Sequence, residues 1–453
     1  MTPGGANRKK QANVTTWVNL EVGNQGEGYS LSFPIFGDWS VGMRCSQRAL
    51  ELEASATLAL AARVKALRAE GKDVLGFSAG EPDLPPPAAA IAAVRQAIDD
   101  GMNGYEPVPG TPEAREAIAA FHRKGGIDCT ADDVVLTAGG KMALFLVLQA
   151  LLQPGRGDEV VILTPAWVSY KPMIELCGGK VVEVPCTFED GFRPDPEAVA
   201  AAMTPNTAAV MLNSPGNPTG VAFPDEIVER IAAVVAQHKD AMLISDEIYA
   251  TLRYGDATHC SPASIPGMKD RVITLHGLSK IAAVTGWRLG WVVAPMLTER
   301  GEPLAKILTR IQGQSLSHTS SLVMPAVKAV LDGGADEDLE SMRLRFASRA
   351  ERMHERLAEI DGVKCLKPEG AFYCFPDVGD CFGKVTPTGK KLADVHAFCE
   401  ALLEEALVAV VPGAPFGPGG ERCVRMSFAC GEETIDAGCE RLASFVASLQ
   451  ESV

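Results

Sequence analysis

The sequence predicts an α/β protein, in which a large domain with a mainly parallel sheet flanked by helices is joined to a smaller α+β domain. Short apolar runs typical of strands alternate with segments that mostly carry a helix, and this alternation is typical of parallel sheets. After the alternating region the pattern changes to one long charged helix and two further strands. The strand-like runs of the first region are 133–137, 159–163, 180–184, 208–212, 242–245, 272–276 and 289–293.

The domain boundaries follow from where these patterns begin and end. A charged helix predicted over 340–360 opens the second region and is followed by strand signals at 371–375 and 424–428. Before the first region, a helix near 57–70 leads into a short strand over 74–78. The predicted domains are therefore a small domain made of 45–87 and 340–453, a large domain over 88–339, and an N-terminal extension over 1–44.

The N-terminal extension differs in composition from the rest of the chain. It is rich in Gly, Asn and Ser, and it keeps neither helical nor strand periodicity for long. It lacks the charged and apolar regions of a secretory signal. We expect it to be poorly ordered, or to reflect an upstream start codon with Met43 as the true beginning.

Composition and charge exclude several kinds of partner. Of the 453 residues, 47% are apolar and 22% are charged, and the formal net charge is −15. A negative field repels nucleic acid and anionic lipid, so neither is an expected partner, and no apolar run is long enough for a membrane span. The 12 cysteines show no C-x-x-C spacing, which predicts reduced thiols in the cytoplasm. The 7 histidines are widely separated, so no metal site is expected.

Two predicted strands of the large domain run into turns that could hold an anion or aim a side chain. Gly139, Gly140 and Lys141 follow the first strand and open a helix, whose free N–H groups can bind a phosphate. The loop 213–220 carries two Asn, among them Asn217, between fixed Pro and Gly residues. Either turn is also compatible with a purely steric role.

Three further features place charged side chains at or near strand ends. Asp246, with Tyr249 three residues later, could hold a protonated ring nitrogen or simply cap the next helix. Lys280 ends an apolar strand, where burial would make its amine a nucleophile, and Arg288 offers a fork suited to phosphate. Arg425 lies within an apolar strand and could pair with a carboxylate. Together these are the parts needed to use pyridoxal phosphate on an amino acid.

The motifs resemble those of the class I/II, fold-type I aminotransferases, and most closely the bacterial- and plant-type aspartate aminotransferase subgroup. The resemblance covers about nine-tenths of the chain, from about Ser46 onward, with the motifs in the family order. The matching segments are 79–83 (Ala-Gly-Glu-Pro-Asp), Tyr105 with 109–110, 139–141, 165–170 (Pro-Ala-Trp-Val-Ser-Tyr), 217–220, 246–249, 279–280 with 286–288, 370–373 and 410–413.

The resemblance implies roles around pyridoxal 5′-phosphate. Lys280 would carry the cofactor as a Schiff base and shuttle the proton, and Asp246 would pair with the ring nitrogen. Tyr249 and Asn217 would bond the phenolic oxygen, and Trp167 would stack on the ring. The implied catalytic residues are Lys280, Asp246 and Tyr249, and the implied cofactor-binding residues are Gly139, Gly140, Lys141, Trp167, Asn217, Asp246, Tyr249, Ser279, Lys280, Arg288 and Tyr105.

The resemblance also implies partners and a substrate. Tyr105 would reach the cofactor phosphate of a neighbouring subunit, which implies a homodimer with shared sites. Arg425 would clamp the α-carboxylate of the substrate and Lys141 its distal carboxylate, which implies aspartate as amino donor and 2-oxoglutarate as acceptor. Pro86 stands where members that accept prephenate have Thr, which argues against prephenate. The implied substrate-binding residues are Gly80, Lys141, Trp167, Asn217 and Arg425.

Other activities on the same scaffold stay open at this point. A transaminase for alanine, kynurenine or an aromatic amino acid would use the same cofactor site. So would a fold-type I C–S lyase or an aminocyclopropane-carboxylate synthase, which would release product without a 2-oxo acid. A regulator with an aminotransferase-like domain is disfavoured, because 1–43 is too short and too weakly basic for a DNA-binding module.

Overall fold

The computed structural model describes residues 44–50, 52 and 56–451, together with the backbone of two strands near the N-terminus. The chain divides into two compact units, 1–51 and 52–453. In the first unit, strand β1 (Val14–Val22) pairs antiparallel with β2 (Tyr29–Phe36), and a short helix α1 (Gln47–Leu50) follows. The sequence did not predict these two strands. The rest of the stretch 1–43, including Met43, lies outside the described residues, so its expected disorder stays a prediction.

A seven-stranded sheet forms the centre of the second unit. The order of its strands is β4-β10-β9-β8-β7-β5-β6. All neighbours are parallel except β10, which runs antiparallel to both β4 and β9. The predicted α/β class is confirmed, and each of the seven predicted strands is present. Their bounds, with the small strand β3 that precedes them, are β3 Leu75–Gly76, β4 Val134–Thr137, β5 Glu159–Thr164, β6 Lys180–Pro185, β7 Thr207–Asn213, β8 Met242–Asp246, β9 Val272–Gly277 and β10 Gly290–Val293.

Helices cover both faces of this sheet, which explains why its strands read as continuous apolar runs. Val160 and Ile162 of β5 belong to the core on one face, whereas Val161 and Leu163 belong to the core on the other. Successive side chains of a strand point to opposite faces, so both sets must be apolar. The helices of the unit are α2 Ala56–Ala69, α3 Ala88–Asp99, α4 Pro112–Lys124, α5 Gly140–Leu151, α6 Tyr170–Leu176, α7 Pro196–Ala202, α8 Asp225–Ala236, α9 Leu278–Ile281, α10 Leu304–Gly313, α11 Pro325–Leu331, α12 Asp336–Ala358, α13 Val395–Ala406 and α14 Glu432–Ala447.

A smaller sheet and the last helices surround a separate core. Strands β11 (Tyr373–Cys374), β13 (Val411–Pro412) and β14 (Val424–Ser427) form it in the order β11-β14-β13, and β12 (Val408–Ala409) pairs parallel with β3. Aromatic side chains such as those of Phe346, Phe372 and Phe428 fill the core.

The boundaries in this smaller region differ from the predicted ones. The charged helix α12 begins at Asp336, four residues before the predicted start at 340, with three acidic residues in its first turn, where the helix dipole favours them. The strands β11 and β14 are shorter than predicted. Residues 52–453 form one compact unit, so the division into 45–87 with 340–453 and 88–339 stays a prediction. No helix in the part of the chain that the structure describes is long and apolar enough to cross a membrane.

Candidate active site

A cleft of about 1880 Å³, part of it open to solvent, lies where the parallel strands of the large sheet end. In such sheets the carboxyl ends of the strands are where ligands bind. The cleft brings together side chains from both sheets and from the loops between them. The predicted site residues that line it are Gly80, Gly140, Lys141, Trp167, Asn217, Asp246, Tyr249, Ser279, Lys280, Arg288 and Arg425.

Lys280 lies in α9, directly after β9, and its amine faces the cleft. Its Nζ donates a hydrogen bond to the carbonyl oxygen of Gly80. Burial lowers the pKa of Lys280 to about 8; Arg288 and Arg425 add to this lowering, whereas Glu81 and Asp246 act against it. About a tenth of the amine is therefore unprotonated at pH 7, far more than for an ordinary lysine, and this is the form that attacks a carbonyl carbon.

Asp246 ends β8 and points into the same cleft. Its Oδ2 accepts a hydrogen bond from Tyr170 Oη at 2.6 Å, and its Oδ1 accepts one from the Ile248 N–H at 3.3 Å. Burial raises the pKa of Asp246 to about 6, although the bonds from Tyr170 and Ile248 work in the opposite direction. A desolvated carboxylate of this kind is suited to pair with a cationic ring nitrogen.

Arg425 is buried in β14 and has no acidic partner among the described residues. Its Nη1 donates to Asn217 Oδ1 and its Nη2 to the Ser78 carbonyl oxygen, both at 3.0 Å. Its Nε is buried without a hydrogen-bond partner, and the guanidinium lies 4.6 Å from the ring centroid of Tyr373. A buried arginine with a free N–H can still pair with an incoming carboxylate.

Glycines shape the other end of the cleft, as the sequence predicted. Gly139 has a φ of 84°, which favours glycine, and a Cβ atom there would lie 2.6 Å from Arg288 Nη2 and displace that guanidinium. Helix α5 begins at Gly140, and no hydrogen bond in the described structure uses the N–H groups of Gly140 and Lys141. Arg288 itself donates Nη1 to the Thr285 carbonyl oxygen at 2.8 Å. These free donors fit a phosphate group.

Lys141 and Trp167 are in contact with each other in the cleft. Lys141 Nζ lies 4.8 Å from the ring centroid of Trp167, within cation–π range. Burial lowers the pKa of Lys141, and the nearby Arg288 lowers it further. Lys141 is thus a partly desolvated cation, separate from Arg425, that faces the same cleft.

Three residues that hold the site together received no role from the sequence. Tyr170 bonds Asp246, Tyr373 Oη lies 3.1 Å from Tyr249 Oη, and Asn213 Nδ2 donates to the Asp246 carbonyl oxygen at 2.9 Å. Tyr170 and Tyr373 fall within the recognised motifs, and Asn213 is the first Asn of the predicted loop. The sequence could therefore have indicated Tyr170 and Tyr373 through their place in these motifs, and Asn213 through its place in the loop with Asn217.

Two predicted site residues, Gly139 and Tyr105, are not among those that line the cleft, although Gly139 directly precedes the lining residue Gly140. Of the two, Tyr105 lies at the surface. Its side chain is 93% exposed, and its ring packs edge-on against His318. The structure of one chain therefore does not bring Tyr105 to the other site residues.

Comparisons with known proteins agree with this geometry. A family model described as Aminotransferase class I and II matches residues 72–442. A protein of Cereibacter sphaeroides named aspartate/prephenate aminotransferase is 40% identical over 397 residues, covering 87% of this chain and 96% of that protein. An aspartate aminotransferase of Bacillus subtilis is 36% identical, covering 89% and 99%.

Solved structures give the same result. The aspartate aminotransferase of Thermus thermophilus with maleate superposes with a TM-score of 0.81 at 36% identity, covering 89% of this chain and all of that one. The enzyme of Rhizobium meliloti gives a TM-score of 0.84 at 36% identity, covering 90% of this chain and all of that one. The chain therefore belongs to the class I and II aminotransferases and is a pyridoxal-phosphate-dependent transaminase.

Proposed function

We propose that this transaminase moves the amino group of aspartate to 2-oxoglutarate in a ping-pong reaction. The observation that carries the proposal is the presence of two separate cations, Lys141 and Arg425, in one cleft with Lys280. A dicarboxylic substrate offers one carboxylate to each cation. The relatives named as aspartate aminotransferases support the same substrate.

The free donors and the glycine turn at one end of the cleft would hold the cofactor. Gly139, Gly140, Ser279 and Arg288 would surround the phosphate, with Lys141 at the same helix end. Trp167 would lie against the ring, and Asn217 and Tyr249 would bond its phenolic oxygen. When bound, pyridoxal phosphate supplies the carbonyl carbon that takes the amino group and a ring that withdraws electrons.

The side chains of the chain would divide the work of the reaction. Lys280 would hold the cofactor covalently and then, as a free amine, carry the proton removed from the substrate α-carbon. Asp246 would keep the ring nitrogen protonated by pairing with it. Arg425, with the Gly80 backbone beside it, would orient the α-carboxylate so that the α-hydrogen faces Lys280.

The two cations give a prediction about substrate choice. Arg425→Ala should lower kcat/KM for every amino acid, because all of them carry an α-carboxylate. Lys141→Ala should lower kcat/KM for aspartate and glutamate by about 10- to 150-fold, which corresponds to about 1.5–3 kcal/mol for a lost charge-assisted hydrogen bond. Alanine and phenylalanine should be spared. The measurement is the ratio of kcat/KM values for acidic and neutral donors.

Equal losses on acidic and neutral donors in Lys141→Ala would count against this assignment. So would a wild-type enzyme that prefers a neutral or aromatic donor. Release of pyruvate and ammonia from one amino acid without any 2-oxo acid would instead indicate a lyase.

Prephenate is a second candidate acceptor. The observation in its favour is the name of the 40% identical relative, aspartate/prephenate aminotransferase. Pro86, in the position discussed above, argues against it. Amino transfer from aspartate to prephenate, compared with 2-oxoglutarate under the same conditions, separates the two acceptors.

We also propose a homodimer in which Tyr105 completes the site of the partner. Its ring is 93% exposed although it belongs to a recognised motif, and a second subunit would cover it. Tyr105→Phe should leave dimerisation intact while raising the cofactor Kd by about tenfold, as expected for one lost hydrogen bond to a phosphate. Sedimentation and cofactor titration test both parts, and a fully active monomer at micromolar concentration would contradict them.

The cytoplasm is the proposed compartment. The 12 cysteines show no C-x-x-C spacing, and most of them are buried in the structure. Free thiols persist in a reducing environment, where glutathione and thioredoxin prevent disulfide formation.

A further inference from the structure

Glu81 is a carboxylate of the cleft that has no part in the roles proposed above. It follows Gly80 in the segment 79–82, here called the Gly80 segment, which lies between β3 and α3. It lines the same cleft as Lys280. Its Oε2 accepts a hydrogen bond from Thr285 Oγ1 at 2.7 Å.

Thr285 begins the turn 285–288, here called the Arg288 turn, which connects α9 to β10. Arg288 Nη1 donates to the Thr285 carbonyl oxygen at 2.8 Å, and Lys280 Nζ donates to the Gly80 carbonyl oxygen. Two hydrogen bonds therefore join the same two parts of the chain, one from Lys280 to Gly80 and one from Thr285 to Glu81, and together with the backbone they close a ring. This ring ties the Gly80 segment to the Arg288 turn, with the Lys280 amine bonded to the same segment.

Besides accepting the bond from Thr285, Glu81 affects the pKa of Lys280 through its charge. After burial, Glu81 has the largest effect on the pKa of Lys280, and it acts to raise it. Arg288 and Arg425 lower that pKa, and Asp246 raises it with a smaller effect. Glu81 and Asp246 are the two acids whose charges raise this pKa, and Asp246 is already proposed to pair with the cofactor ring.

We propose that Glu81 is a positioning residue for the Lys280 amine, holding the Gly80 segment against the Arg288 turn through Thr285 and supplying the negative charge that lets the amine take up a proton. The proposal rests on the proposed function, in which Lys280 carries the proton of the substrate. An amine among two arginines without this carboxylate would hold a proton poorly.

Glu81→Gln separates charge from hydrogen bonding, because the amide oxygen still accepts a bond from Thr285. The first readout is the pH dependence of Lys280 acetylation by acetic anhydride in the full cofactor-free chain, followed by mass spectrometry of the peptide that carries Lys280. We expect the apparent pKa of Lys280 to fall by about one unit when the opposite charge is removed. In the holoenzyme, the midpoint pH of the absorbance change of the bound cofactor should also be lower in Glu81→Gln than in wild type.

Two further variants make the test specific. Asp83→Asn is the matched control, since it removes one negative charge two residues away, from a carboxylate that pairs with Arg349 at 2.6 Å instead of facing Lys280. It should leave the titration of Lys280 unchanged. Thr285→Val removes the bridge and keeps the charge, so it should shift the titration less than Glu81→Gln while raising KM for aspartate.

An unchanged titration in Glu81→Gln, or an equal shift in Asp83→Asn, would overturn the electrostatic part of the proposal. Wild-type KM in Thr285→Val would overturn the bridging part. The acetylation readout does not depend on turnover, so these outcomes are distinct from a failure of the proposed transaminase reaction, which wild-type protein alone would reveal.

Discussion

Lys280→Ala should bind pyridoxal phosphate only reversibly and should lose about 10⁴-fold or more in kcat. Alanine supplies neither the amine that bonds the cofactor nor the base that moves the substrate proton, and a positioned acid–base group alone contributes about 10²- to 10⁴-fold. The lowered pKa of Lys280, about 8, makes its amine suited to both tasks. Borohydride reduction followed by denaturation and mass measurement reports the covalent link, and single-turnover kinetics with aspartate reports the proton transfer.

Lys65→Ala is a matched control for Lys280→Ala. Lys65 also lines the cleft, but its side chain is exposed and forms no hydrogen bond or ion pair with the described residues. It should keep activity within about twofold, as is usual for surface positions. Added methylamine should restore part of the turnover of Lys280→Ala, since a small free amine can enter the vacated space and accept the proton. A normal rate in Lys280→Ala would refute the central claim about this site.

The large sheet was predictable because burial on two faces leaves a direct trace in the sequence. In β5, Val160 and Val161 serve opposite cores, so the whole strand is apolar and stands out from its neighbours. Strand direction leaves no such trace. The antiparallel placement of β10, which follows β9 after α9 and the Arg288 turn, was not predictable, because a strand pattern reads the same in either direction.

The ends of the strands were also predictable, but the contacts among their side chains were not. Asp246 and Lys280 were identified because charged residues that end apolar strands are unusual. The bond from Tyr170 to Asp246 joins residues 76 positions apart, and the one between Tyr249 and Tyr373 joins residues 124 apart. Such pairs are set by the packing of separate loops, which no local pattern encodes.

Asp246→Asn should lower kcat by about two to three orders of magnitude while keeping the fold. Asparagine matches the shape of the side chain and still accepts the bond from Tyr170, but it lacks the charge that would keep the cofactor ring protonated. Steady-state kinetics with aspartate and 2-oxoglutarate measures the effect. A fall of less than about tenfold would leave Asp246 a purely structural role, in which it accepts the hydrogen bonds of Tyr170 Oη and the Ile248 N–H.

The same substitution should have the opposite effect on the stability of the cofactor-free protein. Burial raises the pKa of Asp246 from 3.8 to about 6. Between these two values the unfolded chain ionises the carboxyl while the folded state keeps it protonated, and above about pH 6 the folded state carries the full penalty of an ionised, buried carboxylate. Below the unfolded pKa the carboxyl is protonated in both states, and the penalty disappears. The free energy of unfolding of Asp246→Asn should therefore exceed that of wild type by about 1–3 kcal/mol near pH 8, with the gain vanishing toward pH 4.

Urea unfolding of both proteins at the two pH values gives this difference directly. Tyr170→Phe is the control, because it removes the hydrogen bond at 2.6 Å that favours the ionised carboxylate and leaves the charge in place. It should destabilise the cofactor-free protein mainly near pH 8, where Asp246 is ionised, and much less near pH 4. If Asp246→Asn matched wild type near pH 8, the carboxylate would carry no burial cost, and the view of Asp246 as a desolvated carboxylate suited to a cationic ring nitrogen would fail.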